Sequence, residues 1–94
     1  MDNKMKLLDA MYCKKKDQFG FDESMFMEYS YLDIKNKAFN DMSLSEYQTL
    51  VAEMVNSKMI NADLKNNGKI VNGTVSVLRN GIEYYANNVI KDNF

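Results

Sequence analysis

The chain has 94 residues, 46% of them hydrophobic with six Tyr and five Phe, which supplies one packed core and no room for a second. It lacks His, Trp and Pro and carries a single cysteine, Cys13, so the usual neutral-pH acid–base group, the commonest metal ligand and any internal disulfide are excluded. The net charge of −1 conceals an asymmetry: residues 1–16 sum to +3, residues 17–63 to −6 and residues 64–94 to +2. Any basic surface must therefore come from the two ends of the chain, because its middle repels phosphate.

The first predicted element is a helix over about 3–16, with Leu7, Leu8, Met11 and Tyr12 at helical spacing and Lys14, Lys15 and Lys16 beside its negative end. Phe19-Gly20-Phe21 has the length of a short edge strand at most. Asp22 then offers an N-cap to a second helix carrying Met25, Phe26, Tyr29 and Leu32. Phe26, Met27, Tyr29 and Tyr31 are too many large side chains for one face of that helix, so some must stay exposed or meet a partner. Ser43-Leu44-Ser45-Glu46 fits a capping box, and behind it Leu44, Tyr47, Leu50, Val51, Met54 and Val55 form the apolar stripe of a third helix.

Beyond that helix the period changes to two. A type I′ turn at Asn67-Gly68 pairs residue 64 with 71, 62 with 73 and 60 with 75. Ile60, Ala62 and Leu64 then share a face with Val71, Val75 and Val77, and Gly73 reads as a bulge or a point of close approach in the second strand. After Leu78 a helical period returns through Ile82, Tyr85, Ala86, Val89 and Ile90. No repeat, linker or bilayer-length apolar run appears, and no signal-peptide pattern opens the chain. The expectation is a single cytoplasmic domain spanning residues 1–94. Its class is α+β, mainly α: three to four helices, with a hairpin in the C-terminal half before the last of them. This order is that of a winged helix-turn-helix.

The stretch from Leu44 to Ile60, followed by the hairpin and Val77-Leu78-Arg79-Asn80-Gly81-Ile82-Glu83-Tyr84-Tyr85, resembles small bacterial winged-helix proteins. Those proteins open their last helix with Leu-Thr-x-x-Gly-x-x-Tyr-Leu. Gly81 and Tyr84 match that step, whereas Leu78 replaces a capping Thr and Tyr85 replaces Leu. The nearest likeness is to the YjcQ-like group of low-GC Gram-positive bacteria and their phages, and PadR-type regulators share the same ending. The resemblance spans roughly residues 43–88. It implies a small DNA-binding regulator of bacterial, phage or plasmid origin, although winged helices also serve as protein-binding modules.

On that reading Ser45, Gln48, Thr49 and Asn56 face the major groove, while Lys65, Asn66, Asn67 and Lys69 hold backbone or minor groove. The bland alternative is a solvated helix face and ordinary edge protection by lysine. Ile82, Tyr85, Val89 and Ile90 are the candidate homodimer interface, together with the first helix. The Lys14–Lys16 run and Cys13 read as a helix-end charge cluster and an unremarkable thiol. No nucleophile–base pair, phosphate loop or metal-ligand spacing occurs, so neither an enzyme nor a cofactor is expected. The rival partner is a protein: an acidic module that binds or blocks a nucleic-acid-handling machine, favoured by the −6 middle segment.

Overall fold

The computed structural model describes residues 2–13, 23–68 and 70–92, and for 67, 70 and 90–92 the backbone alone. The elements run α1 (Asn3–Met11), a 3-10 turn (Glu23–Met25), β1 (Tyr29–Ser30), α2 (Tyr31–Ala38), α3 (Leu44–Asn56), β2 (Ile60–Asn67), β3 (Ile70–Val77) and α4 (Arg79–Asp92). The three strands form one antiparallel sheet in the order β1-β3-β2. No helix of the described residues is long and apolar enough to cross a membrane.

Asp2 caps α1 by accepting from the Met5 amide at 2.7 Å. The helix stops at Met11, five residues before the predicted end, and the lysine run and the Phe19–Phe21 stretch lie outside the described residues. Tertiary packing ends it. Tyr12 turns extended, bridges Phe26, and stacks its ring 5.3 Å from Phe26 and 4.9 Å from Tyr85. The helix predicted from Asp22 is likewise replaced. Met25 and Phe26 are both buried although adjacent, and the Cys13 and Met27 amides donate to the Met25 and Met11 carbonyls. Two strand-like segments thus meet where helical spacing had been read. The second helix starts instead at Tyr31, capped by Ser30, whose hydroxyl accepts from the Asp33 amide. Of the crowded large residues, Phe26 and Tyr31 are buried and Met27 is 52% exposed.

The α3 helix forms over the predicted residues, and Ser43 accepts from the Glu46 amide at 3.2 Å. Glu46 returns to the Ser43 hydroxyl, which donates to its Oε1 at 3.1 Å, rather than to the Ser43 amide. The buried stripe is narrower than predicted: Tyr47, Leu50, Val51 and Met54 are inside, whereas Leu44 and Val55 are exposed. The helix ends in a Schellman arrangement, with Met59 N–H donating to Met54 C=O and Lys58 N–H to Val55 C=O. That motif requires a left-handed residue, and Lys58 fills the position at φ 58°. A side chain there is strained, so Lys58→Gly is expected to stabilise the fold by about 0.5–1 kcal/mol. Thermal unfolding should show a rise in Tm of several degrees.

The hairpin keeps its predicted faces but not its register. Ile60 pairs with Val77, Ala62 with Val75 and Leu64 with Gly73, two residues further along β3 than the Asn67-Gly68 turn implied. Asn67 pairs with Ile70, and Gly68 takes the positive φ of 72° at the reversal. A shift of two leaves side-chain parity unchanged, and it sets Ile60, Val75 and Val77 together in the core. The ladder is continuous through Gly73, so there is no bulge. Gly73 is a close-approach site, where an added Cβ would run into the Asp63 carbonyl.

The α4 helix docks on α1 through two phenols. Tyr84 donates to Asp2 Oδ2 at 2.6 Å, and Tyr85, 5% exposed, donates to Asp9 Oδ1 at 2.7 Å. Burial first, then the Asp9 hydrogen bond, hold the Tyr85 pKa above the ordinary tyrosine value. Native Tyr85 therefore binds its proton more tightly than the unfolded chain does. Its contribution is complete below about pH 10 and is lost as the pH rises toward the folded-state value. Tyr85→Phe is expected to cost about 1–2 kcal/mol at neutral pH and to flatten the alkaline limb of the stability curve. Urea unfolding at pH 7 and at pH values above 10 checks both parts.

Candidate nucleic-acid interface

The α3 helix presents two flanks beside its buried stripe. Glu46 and Glu53 lie on the flank toward α1, sharing a hollow with Asn3, Leu50, Ser45 and Thr49. Gln48, Ala52, Val55 and Asn56 lie on the flank toward the hairpin. The four candidate α3 residues are all exposed, but the fold divides them. Ser45 and Thr49 stand beside acids, and the Thr49 hydroxyl donates to the Ser45 carbonyl at 3.1 Å. Gln48 and Asn56 both line the groove toward the hairpin, and Asn56 follows Glu53 by three residues on the helix surface. Eight residues along an α-helix separate them by about 12 Å, the span of roughly three to four stacked base pairs.

Lys65 and Asn66 are exposed on β2, and strand alternation sends them to opposite faces. Asn66 shares the face of Ala62 and Leu64, which turns toward α3, while Lys65 shares the other face with Asp63. The side chain of Asn67, and all of Lys69, fall outside the described residues. Arg79, at the start of α4, is engaged with Glu83 at 3.3 Å in a solvent-exposed i,i+4 pair. Lys37 donates to the Ala10 carbonyl and lies 5.0 Å from the Tyr29 ring centroid, so it serves the packing of α2. α1 and α4 pack together, and they meet through Asp2 and Asp9, while the Lys14–Lys16 run lies outside the described residues.

Between α3 and the hairpin runs a groove of about 440 Å³, floored by Tyr31 and Val51 and walled by Val55, Leu64 and Val71. No charged residue lines it. Val55 is 37% and Leu64 38% exposed, and the buried Tyr31 hydroxyl has no hydrogen-bond partner among the described residues. Burial raises the Tyr31 pKa, so the phenol stays protonated as a free donor. Sequence reasoning missed this groove because Val55 follows Val51 at a spacing of four and was assigned to the core. The available signal was that six apolar residues at that spacing make a stripe wider than one helix face can bury.

The candidate dimer residues are spent largely on the chain itself. Tyr85 is inside the core, and Ile82 and Val89 are half-buried against it; the Ile90 side chain lies outside the described set. The two residues that carry the family resemblance are structural as well. Tyr84 ties α4 to Asp2, and Gly81 lies so close to the Met59 carbonyl that a Cβ has no space. Comparison of the chain with protein-family models, curated proteins and solved structures finds no match to any of the three.

Proposed function

We propose that the chain is a winged-helix protein whose α3 and hairpin grip double-stranded DNA, acting in the cytoplasm as a small regulator of bacterial, phage or plasmid origin. The succession of a helix, a short strand, two helices, a hairpin and a final helix, with β3 central in the sheet, supports the winged-helix assignment. The observation that carries the functional reading is the placement of Gln48 and Asn56. Two amide side chains, each able to bond bidentately to adenine, stand exposed beside the uncharged groove between the hairpin and the helix that precedes it. Asn66 adds a donor on the same side of the hairpin, and Lys65 adds positive charge on the other.

A polarisation titration with random duplex at low salt tests this. Micromolar or tighter binding that rising salt abolishes supports it, and absence of binding at low salt rejects it. Within a preferred site, Gln48→Ala and Asn56→Ala should each lose about 1–3 kcal/mol of discrimination, leaving nonspecific affinity nearly unchanged.

A second reading draws on the uncharged groove. Val55 and Leu64, exposed beside α3, give an apolar surface suited to a protein segment, and α3 carries two acids and no base. On this reading the chain is an interaction module that binds or blocks a nucleic-acid-handling protein. Failure of the duplex titration is the outcome it expects.

A further inference from the structure

We propose that β2 is a self-complementary docking edge, through which two copies of this chain join their sheets into one six-stranded antiparallel sheet. The proposal does not depend on the DNA reading. Because the strand order is β1-β3-β2, the outer edge of the eight-residue β2 pairs with no strand among the described residues. It has no proline and no bulge, and its pairing to β3 is unbroken from Ile60 to Asn67. An edge of this length and regularity is a template for another strand unless something blocks it.

The direction of its free groups follows from the ladder. Leu78 N–H donates to Met59 C=O, so the pairs 59–78, 61–76, 63–74 and 65–72 are the hydrogen-bonded ones within the hairpin. Residues 60, 62, 64 and 66 therefore turn their amides and carbonyls outward. Two antiparallel copies of β2 related by a twofold axis normal to the sheet must pair residues of like parity, which leaves three central registers. Centring on residue 63 sets Asp63 against Asp63, and centring on 65 sets Lys65 against Lys65. Centring on Leu64 sets Asp63 of each copy opposite Lys65 of the other, twice.

That central register also uses the outward groups. Leu64 of one copy exchanges both backbone hydrogen bonds with Leu64 of the second, and Ala62 does so with Asn66. The Asp63–Lys65 pairs then fall at the non-hydrogen-bonded positions, where cross-strand side chains approach most closely. The two Leu64 side chains, 38% exposed in the single chain, meet across the axis on the face toward α3. Asp63 and Lys65 are the only charged residues of β2. On an isolated edge they would deter pairing, whereas their spacing of two about Leu64 makes them select one partner and one register.

Sedimentation equilibrium from micromolar to submillimolar concentration tests the proposal. The natural chain should dimerise, and Asp63→Lys or Lys65→Asp, each of which makes both cross-strand pairs alike in charge, should weaken the dimer roughly tenfold. An equimolar mixture of those two variants should form a heterodimer, and Asp63→Lys combined with Lys65→Asp should restore the homodimer. Both positions are solvent-exposed, and circular dichroism on each variant confirms that the fold is retained. A chain that stays monomeric throughout overturns the proposal. So does a dimer indifferent to the single reversals, or one that neither the mixture nor the double exchange restores.

Discussion

Replacing Tyr47 by alanine is expected to cost about 3–5 kcal/mol, a large share of the stability of a domain this size. Tyr47 is fully buried at the first turn of α3, with its ring centroid 4.7 Å from that of Tyr31 and 5.7 Å from that of Phe39. Its hydroxyl donates to the Tyr31 carbonyl at 2.6 Å, so one side chain joins α3 to both ends of α2. Burial raises its pKa, which keeps the hydroxyl a donor far into the alkaline range. Tyr47→Phe separates the two contributions: it retains the ring and removes the hydrogen bond, for a loss of about 1–2 kcal/mol. Urea unfolding of both variants measures the pair. Equal losses would show that the hydrogen bond and not the packing carries the junction.

Reversing charge at Lys65 and Lys69 together is expected to weaken duplex binding by roughly a hundredfold at low salt, on every sequence alike. Phosphate contacts position a protein without reading bases, so the loss should be uniform and the slope of log affinity against log salt should fall by about two. Two other cations of the described residues are already engaged, and the helix before the hairpin adds none. Arg79 faces Glu83, Lys37 is committed to Ala10 and Tyr29, and α3 contributes no base. The variant should fold normally, because the Lys65 side chain is exposed and makes no hydrogen bond with the described residues. Affinity unchanged by the double reversal would remove the hairpin from the interface.

Local chemistry made α3 legible. A serine cap, a glutamate three residues on and an uninterrupted apolar period act within four residues of one another, and nothing tertiary opposes them. The hairpin's faces were legible for a similar reason, since side-chain parity survives any register shift of two. Its register was not. The choice between adjacent reversals is set by how deeply Ile60, Val75 and Val77 can be buried, and that depends on the helices above them. Around Tyr12 and Phe26 local pattern failed outright. The helical spacing of Met25, Phe26, Tyr29 and Leu32 was real, but an aromatic cluster with Tyr85, drawn from the far end of the chain, gains more by pulling both segments extended.

The candidate interface divides along the same line. The sequence by itself supplied its residue types, because amides, hydroxyls and lysines are exposed wherever a polar helix face or a strand tip places them. Only the tertiary structure decided their company. It set Ser45 and Thr49 beside Glu46 and Glu53, left Gln48 and Asn56 along an uncharged groove, and drew Tyr85 inward to Asp9. Periodicity reports which face of an element is apolar; what that face meets is fixed by elements remote in the chain, whose approach no local spacing encodes.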